Sequence, residues 1–363
     1  MGAHRNDPYG STGFTGSDGS DGPDGPDGSV AVEERAALVA EIAATGALDD
    51  PAWRAAFEEV PRHVFVPYYF VSRPGGWERL WSGDPDPARR ARWLRGAYTD
   101  GPLAIRVRDG ELISSSSQPS LMAGMLAALD VRDGDRVLEI GAGSGYNAAL
   151  LAHRLGDDLV TTVELDPEIA ESARTHLATA GYRPAVVAGD GARGCPERAP
   201  FDRIIATCTL PSVPAGWPAQ CRPGARILAP LATGLIALRV GGDDQGEGGG
   251  GDGTGEGLVP YAEGRFLHTA AYFVPLRGGP ESGFGARPPL GRMPRGASGN
   301  ELFRFLLTLT AGSLEPREAL ALWERERHPE RERFGVTVAG DRQWAWLDDP
   351  AGPYTWPLSP GGW

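Results

Sequence analysis

The sequence contains no lysine, so all 35 of its basic residues are arginine. Aspartate and glutamate number 48, and the formal net charge is −13. A chain of this charge, without a stripe of basic residues, is not expected to bind nucleic acid. The three cysteines, Cys195, Cys208 and Cys221, are odd in number and lie apart from one another and from histidine. They argue against a disulfide framework or a zinc site, so we expect free thiols and no bound metal.

Long apolar runs are also missing. No run reaches the length that spans a membrane, and the first residues contain no apolar segment typical of a signal peptide. We therefore expect no membrane partner and a cytoplasmic location. With 363 residues, 41% hydrophobic residues and 10 tryptophans, the chain can bury a large core. It is long enough for one large α/β domain with additions, or for two domains.

Composition divides the chain. Residues 1–29 are mostly Gly, Asp, Ser and Pro, which predicts a disordered acidic tail. The Gly-, Asp- and Glu-rich segment 241–257 predicts a flexible loop. The main domain is expected at 30–277, followed by a Gly-, Pro- and Arg-rich linker at 278–298. Residues 299–363 form a C-terminal region in which we predict two helices and a hairpin.

The most informative segment is a strand, a glycine-rich turn and a helix. Val137–Ile140 has the apolar character of a buried parallel strand, and a segment with helical periodicity follows the turn. Dinucleotide sites have the spacing Gly-x-Gly-x-x-Gly. Here Gly141, Gly143 and Gly145 bring the third glycine one residue early, and Glu139 precedes them. An acid there would repel a pyrophosphate but could hold an ammonium group, directly or through water. This pattern is typical of S-adenosylmethionine (SAM)-dependent methyltransferases.

A second acid supports this interpretation. Val160–Val163 predicts the next strand, and Glu164 stands at its carboxyl end. An acid at that place in a doubly wound sheet accepts hydrogen bonds from ribose hydroxyls. Asp166 and Pro167 then supply the N-cap and first position of a helix.

Several sequence motifs occur along the chain in the same order as in a known protein family. From about Glu33 to Leu276 the chain resembles the protein-L-isoaspartate O-methyltransferase family. The motifs that carry it are Val60–Pro67, Ala97–Leu103, Ser117–Pro119, Val137–Tyr146, Gly189–Gly191, Ala199–Ile205, Leu210–Pro211 and Pro223–Arg226. The resemblance implies an α/β fold: a seven-stranded Rossmann-like SAM-dependent methyltransferase sheet with N-terminal helices. The C-terminal region would be a small α+β appendage.

The resemblance also implies the site. Glu164 would hold the cofactor's ribose, Asp190 with Gly191 its adenine end, and the glycine turn its methionine end. Ser117, with Ser116 beside it, would orient a substrate carboxylate. The implied reaction esterifies the side-chain carboxylate of an isoaspartyl or aspartyl residue in a protein or peptide, which leads to succinimide.

Methyl transfer to an ionised carboxylate requires alignment and exclusion of water, but no general base. A serine cluster at a helix N-terminus suits an anionic substrate, because the helix dipole favours negative charge there. The alternative is that Ser114–Ser117 only cap the helix that follows, which needs only one of them. We also expect His63 to be a packed structural residue, and Cys208 to line the site without acting as a nucleophile.

Three departures from the family pattern concern the substrate. Residues 71–97 are a long insertion, which we predict to be an ordered loop, and residues 106–116 lengthen the approach to the serines. The third departure is the C-terminal region, which concentrates four tryptophans: Trp323, Trp344, Trp346 and Trp356. We expect this region to be separable from the core of the sheet. It would either pack beside the substrate cleft or offer an apolar patch to a partner.

Other functions stay open at this point. Related sequences with a similar serine motif and an extra C-terminal region resemble enzymes that methylate an aspartate of a ribosomally made peptide during its maturation. A noncatalytic SAM-binding module is a further alternative, against which the presence of Glu139, Glu164, Asp190 and Ser117 argues. A dinucleotide-dependent oxidoreductase is disfavoured by the glycine spacing. The oligomeric state is not indicated.

Overall fold

The computed structural model describes residues 26–241, 260–278 and 299–358. Its helices are α1 (Pro26–Ala43), α2 (Pro51–Glu59), α3 (Arg62–Phe65), α4 (Pro87–Ala97), α5 (Pro119–Leu129), α6 (Tyr146–Leu155), α7 (Pro167–Thr179), α8 (Gly216–Ala219), α9 (Glu301–Leu309) and α10 (Pro316–Arg325). Its strands are β1 (Tyr68–Arg73), β2 (Gly76–Trp81), β3 (Leu103–Arg108), β4 (Glu111–Ser116), β5 (Val137–Ile140), β6 (Val160–Glu164), β7 (Ala185–Ala188), β8 (Phe201–Ala206), β9 (Cys221–Leu231), β10 (Gly234–Val240), β11 (Tyr261–Ala270), β12 (Phe334–Ala339), β13 (Arg342–Leu347) and β14 (Thr355–Pro357).

The centre of the molecule is a ten-stranded sheet in the order β14-β13-β12-β11-β10-β9-β8-β5-β6-β7. The five strands from β7 to β9 are parallel, and those from β10 onward pair antiparallel. The Rossmann-like methyltransferase sheet that the resemblance implies is therefore confirmed. The chain leaves β5 toward β6 and β7, and then returns to place β8 on the other side of β5. A ligand crevice is expected at such a switch point, outside the carboxyl ends of the strands.

The three additional strands come from the C-terminal region. β12 pairs with β11 in an antiparallel ladder from Tyr261↔Ala339 to Arg265↔Gly335, and β13 and β14 follow. The helices and hairpin predicted there are confirmed. The seven strands β5 to β11 lie side by side, and the C-terminal strands extend this sheet to ten, an arrangement that argues against a separable appendage. Strand pairing is not local in sequence, so the hairpin's own pattern does not indicate that it continues the main sheet.

The two faces of the sheet carry two different cores. The N-terminal helices α1 and α2, with α5 and α6, cover one face through residues that include Trp53, Phe57 and Leu150. The C-terminal helices α9 and α10 cover part of the other face, where Phe303 and Phe305 join the same core as Leu138 of β5. Both faces of the parallel strands are thus buried, as their unbroken apolar sequences require.

A second, four-stranded antiparallel sheet has the order β2-β1-β3-β4. The first part of the insertion at 71–97 lies in this sheet and its last part forms α4, so the expectation of an ordered loop is wrong. Gly75 and Gly76 both have positive φ at the β1–β2 turn, which makes the hairpin possible. The Arg- and Trp-rich strands concealed this because their apolar residues do not alternate regularly.

Several boundaries differ from the sequence expectations. Helix α1 begins at Pro26, so residues 26–29 belong to a helix and not to the tail. The seventh strand was expected at 268–275, whereas β11 ends at Ala270 and the chain then leaves the ladder. Residues 1–25, and most of the predicted loop and linker, lie outside the described residues. No described helix is both long and apolar enough to cross a membrane.

Candidate active site

A cavity lies at the carboxyl ends of β5, β6 and β8, where the strand order reverses. Its lining residues are Ile113, Ser114, Ser115, Ile140, Gly141, Gly143, Val163, Glu164, Leu165, Gly191, Thr207, Cys208, Val274, Pro275, Leu276 and Arg277. Four of the seven residues assigned to the cofactor from sequence are in this set. The cavity thus lies where the sequence predicts the site, at the end of the first two parallel strands, and the roles of the individual residues stay predictions.

The glycine turn has a backbone that only glycine adopts without strain. Gly141, Gly143 and Gly145 have φ of 95°, 53° and 88°. A Cβ on Gly141 would lie 2.9 Å from Thr207 Oγ1, and one on Gly145 would lie 3.2 Å from the carbonyl oxygen of Ala173. Gly145 does not line the cavity. It allows α6 to pack against α7, while Gly141 and Gly143 face the ligand space.

The carboxylate of Glu164 lies beside this turn. Gly143 N donates to Glu164 Oε2 (3.1 Å) and Asp166 N donates to Oε1 (3.3 Å), so both oxygens are fixed at the cavity wall. Each carboxylate oxygen accepts more than one hydrogen bond, which leaves capacity for a ligand hydroxyl. Asp166 caps α7 as predicted, through Glu168 N and Ile169 N. Glu164 is therefore held in the position required for a ribose contact.

Glu139 behaves differently. Its side chain is fully buried beneath α6, where Asn147 Nδ2 donates to Oε1 (2.8 Å), and it does not line the cavity. Burial raises the pKa of Glu139 to about 7, and the nearby charge of Glu164 raises it further, against the opposing effect of the hydrogen bond from Asn147. The structure therefore does not support a direct contact between Glu139 and a ligand ammonium group. In these surroundings, the carboxyl group positions the start of α6.

The serines do not lie at a helix terminus. Ser114, Ser115 and Ser116 belong to β4, and Gln118 is the N-cap of α5 without a side-chain cap bond. The helix is capped from a distant loop, since Asp100 Oδ1 accepts from Ser120 N (2.8 Å). The alternative that these serines only cap α5 is thus wrong. Ser114 and Ser115 line the cavity, whereas Ser116 and Ser117 lie just beyond it, and their catalytic role stays a prediction.

Arg62 organises this side of the site, and sequence reasoning did not single it out. Its guanidinium is fully buried and donates to the carbonyl oxygens of Ala97, Thr99, Gly101 and Ser117 at 2.9–3.1 Å. Burial lowers the pKa of Arg62 to about 10, so the group remains charged at neutral pH. One side chain thus joins the end of α4, the following loop and the predicted catalytic serine.

Thr207 and Cys208 follow β8 and close the cavity from the other side. Thr207 Oγ1 donates to the carbonyl oxygen of Gly141 (2.7 Å) and so supports the glycine turn. Burial, with the charges of Glu164 and Glu139, raises the pKa of Cys208, so this residue is a thiol and not a thiolate nucleophile. His63 hydrogen-bonds Tyr98 through Nδ1, and burial lowers its pKa to about 4. Cys208 thus lines the cavity and His63 is packed and hydrogen-bonded, as expected, and the absence of a nucleophilic role for Cys208 stays a prediction.

A strap formed by residues 274–278 lies over the cavity. Thr209 N donates to Val274 O and Leu276 N donates to Thr209 O, both at 2.9 Å, which fixes the strap to the residues after β8. Arg277 Nη2 lies 3.9 Å from Glu164 Oε1. The cavity that remains is about 60 Å³. Small-molecule sites usually have several hundred Å³, so the strap must shift when a cofactor-sized ligand enters.

Asp190 lies under the end of this strap. Its Oδ1 accepts from Ala192 N (3.0 Å), and a Cβ on Gly278 would lie 2.6 Å from the same oxygen. Asp190 does not line the cavity, although its neighbour Gly191 does. A Cβ on Gly191 would lie 2.6 Å from Ile140 Cγ2, so glycine is required there. The adenine contact assigned to Asp190 stays a prediction that depends on movement of the strap.

The residues that are present suit SAM. Glu164 is an acceptor for ribose, the glycine turn leaves space along the backbone, and Ile140 and Val163 supply apolar walls. Among the described residues, the cavity lining contains neither histidine nor lysine, and its thiol is protonated. Such a site can bind and orient reactants, but it has no group suited to abstract a proton. Methyl transfer to a carboxylate needs no such group.

Comparisons with known proteins agree with this chemistry. Residues 89–240 match the family model described as protein-L-isoaspartate(D-aspartate) O-methyltransferase. The chain is 36% identical over 209 residues to the protein-L-isoaspartate O-methyltransferase of Hyperthermus butylicus, a match that covers 55% of this chain and 75% of that relative. It is 40% identical over 178 residues to the enzyme of the same name from Methanoculleus marisnigri, covering 49% and 67%.

A solved protein-L-isoaspartate O-methyltransferase has the same fold, with a TM-score of 0.56 and 23% identity. The match covers 90% of this chain and 99% of that one, so it extends well beyond residues 30–277. The C-terminal region is therefore not by itself a sign of an unusual fold. With 75% of a relative covered at 36% identity, and a site of matching chemistry, the chain belongs to the protein-L-isoaspartate(D-aspartate) O-methyltransferase family and is a methyltransferase whose cofactor is SAM.

Proposed function

We propose that the chain transfers a methyl group from SAM to the free carboxylate of L-isoaspartyl residues in proteins or peptides. In such a residue the main chain runs through the β-carbonyl, so the free group is the α-carboxylate. The observation that carries the proposal is the position of Glu164. Its carboxylate is fixed by two backbone amides at the strand switch point, beside the glycine turn and opposite the serines of β4. The names of the relatives support the same substrate.

The residues of the chain act by binding and orientation. SAM supplies an electrophilic methyl group on a sulfonium, and its transfer forms the O–CH₃ bond while the S–CH₃ electron pair stays on sulfur. A free carboxyl group is ionised at neutral pH, so the nucleophile needs no base. The hydroxyls of Ser114, Ser115 and Ser117 can donate to the carboxylate without protonating it. Leu276 and Ile113 make the lining apolar and keep water out of the path of transfer.

Arg62 acts through another residue in this scheme. Its guanidinium donates hydrogen bonds to the carbonyl oxygen of Ser117 and to three carbonyl oxygens at the end of α4 and in the loop that follows. The Ser117 hydroxyl has no partner among the described residues, which leaves it available to a substrate. Arg62 is therefore a positioning residue for Ser117.

The substrate is tested with labelled SAM and two peptides that differ only in aspartate versus isoaspartate. We expect base-labile methyl ester on the isoaspartyl peptide. Ester on the aspartyl peptide alone would contradict the proposal and indicate a peptide-maturation enzyme.

The cofactor assignment is tested at Glu164. Glu164→Ala should weaken SAM binding by about 2 kcal/mol or more, because hydrogen bonds to a charged acceptor contribute about that much. Calorimetry measures the affinity, and Glu171→Ala, on the exposed surface of α7, is the control. Unchanged affinity in Glu164→Ala would show that ribose is held elsewhere.

The serine assignment is tested by comparing neighbours. Ser117→Ala should lower turnover with little effect on SAM affinity, while Ser115→Ala, which alters the cavity wall, should change both. If Ser117→Ala weakens SAM binding as much as it lowers turnover, the residue does not act on the substrate.

A cytoplasmic location and the absence of nucleic-acid and membrane partners belong to the same proposal. They are supported by the charge of −13 and by three free cysteines. Fractionation of cells that express the tagged chain would test the location.

A further inference from the structure

A second cavity, of about 170 Å³, lies toward the amino ends of β5 and β8, away from the SAM site. We call it the arginine cavity; its lining is Asp130, Arg132, Asp135, Arg203, Gly224, Arg226 and Arg239. Arg203 precedes Thr207 by four residues along β8, which places it about 13 Å from the SAM site at the usual rise of a strand. Nothing in the proposed reaction uses this cavity.

Three of the arginines form a row across neighbouring strands. Arg203 of β8 is directly paired with Arg226 of β9, and Arg226 is directly paired with Arg239 of β10. Directly opposed residues place their side chains on the same face, and like charges opposed in this way destabilise a sheet. Such a row requires compensating negative groups.

The first two arginines are compensated within the protein. Arg203 donates to the carbonyl oxygens of Leu129 and Asp130 at 2.7–3.0 Å and pairs with Asp135 at 3.1 Å. Arg226 donates to the carbonyl oxygen of Ala128 (2.6 Å). These carbonyls end α5, where the helix dipole favours cations. The two side chains therefore have a structural function that fixes them at the cavity wall.

The other two arginines are not compensated in this way. Among the described residues, neither Arg132 nor Arg239 has a hydrogen-bond or ion-pair partner for its guanidinium. Arg239 Nη2 lies 3.6 Å from the position of a Cβ on Gly224, so a side chain there would crowd the guanidinium. Four guanidinium groups against the carboxylates of Asp130 and Asp135 leave two positive charges in excess. This excess is concentrated in a chain whose net charge is −13.

We propose that the arginine cavity binds a phosphate group, either free phosphate or a phosphate monoester. A guanidinium presents paired N–H donors that match phosphate oxygens, and two excess positive charges match a dianion. The space equals that of roughly five or six waters, enough for the five heavy atoms of phosphate. Arg226 and Arg203 form the fixed wall, and Arg239 with Arg132 supplies the free donors.

The test is a calorimetric titration of the full chain with inorganic phosphate at constant ionic strength, up to about 10 mM, the range of the weakest specific affinities. We expect saturable binding of phosphate and no binding of chloride. Arg239→Gln and Arg132→Gln should each weaken binding about tenfold or more, the effect of losing one hydrogen bond to a charged group. Arg54→Gln, an exposed arginine on α2, is the matched control and should bind as the parent does.

Three outcomes would overturn the proposal: no saturable binding by the parent, equal affinity in the Arg239→Gln and Arg132→Gln double variant, or an equal loss in Arg54→Gln. Arg239 and Arg132 are exposed, so the variants should fold, and their unchanged melting temperature without phosphate confirms this. Competition by O-phosphoserine distinguishes the source. If O-phosphoserine displaces phosphate, the cavity is open enough to bind a phosphate monoester. If it does not, free phosphate is the ligand.

Discussion

The N-terminal insertion and the C-terminal region are both additions to one methyltransferase sheet, but they join it in different ways. The insertion at 71–97 supplies β2 and α4, and its first strands form a separate four-stranded sheet with β3 and β4. Its Leu80, Trp93 and Leu94 join the apolar core of the N-terminal helices, and Arg62 binds the carbonyl oxygen at its end, beside the active site. The C-terminal region continues the ladder of the main sheet and shares its apolar core. The first arrangement adds both apolar packing and polar contacts beside the site, whereas the second extends the sheet and its core away from the site.

The strongest test of this difference is a truncation after residue 298. It removes β12, β13, β14, α9 and α10 and exposes core residues such as Phe266 and Ile236. Each large buried apolar side chain contributes about 1.5–3 kcal/mol, and several of them exceed a usual total stability of about 5–15 kcal/mol. We therefore expect the truncated chain not to fold, as measured by circular dichroism and gel filtration. Truncation after Leu358 is the control, and a folded, SAM-binding chain ending at residue 298 would contradict our account.

Arg62→Met tests the polar side of the comparison. The change leaves four buried carbonyl acceptors without their donor, and each such group costs about 1–3 kcal/mol. We expect a loss of about 3 kcal/mol or more in unfolding free energy, and a fall in turnover that exceeds the loss of SAM affinity. Arg35→Met, which removes a single surface bond to Glu59, is the control. An equal effect of both substitutions would show that Arg62 does not organise the site.

Glu139→Gln tests the sheet that both additions share. The pKa of Glu139 is about 7 in the folded chain, above its ordinary value of 4.5, so the folded state favours the protonated form. The stability that this proton provides is fully present below pH 4.5 and is lost as the pH rises through 7. Glutamine stays neutral throughout. The unfolding free energy of the variant should therefore rise relative to that of the parent by up to roughly 3 kcal/mol between pH 5 and pH 8, since one pKa unit is 1.36 kcal/mol. Urea denaturation at pH 5 and at pH 8 measures the unfolding free energies of parent and variant. If their difference is the same at both pH values, the raised pKa of Glu139 is refuted.

The smallest expected effect is at Arg106 on β3. It donates to Glu168 at the start of α7 (2.6 Å), and so connects the four-stranded sheet to the element that follows Glu164. Because the pair is exposed, Arg106→Gln should change stability by less than about 1 kcal/mol. We nevertheless expect a raised KM for SAM or peptide, because the β3–β4 hairpin carries Ser114 and Ser115. Arg174→Gln, which breaks the Glu171 pair on α7, should leave KM unchanged.

The parts predicted correctly from sequence are those fixed by local signals. The strand β5, the glycine turn and the capped start of α7 each depend on residues within one turn or one strand. The role of Glu164 was predicted from its position at the carboxyl end of a strand. The position of Ser114 and Ser115 in a strand was missed, because a serine run has weak preferences for any structure. Arg62 and Asp100 were missed because their roles depend on residues 20 to 55 positions away.

The strap over the cavity also could not be predicted as part of the site from the sequence. Arg277 reaches the site from a position two residues beyond the predicted strand 268–275, and no pattern near it indicates a ligand. Thr207 could have been found, because it follows the fourth parallel strand, where ligand groups are expected. The three buried tryptophans Trp323, Trp346 and Trp356 show why the partner patch was wrong. They complete the core of the main sheet, which confirms that the region packs back on the domain, though none of its described residues lines the SAM cavity.

The pairing of β11 with β12 also has a consequence during synthesis. The partner strand of β11 is encoded about 70 residues later, so at usual translation rates β11 remains an open sheet edge for roughly 4 to 14 seconds. An open edge with exposed backbone donors and acceptors can pair with other chains. Premature termination before residue 339 would therefore leave an aggregation-prone product, and full-length synthesis is needed before the sheet is protected.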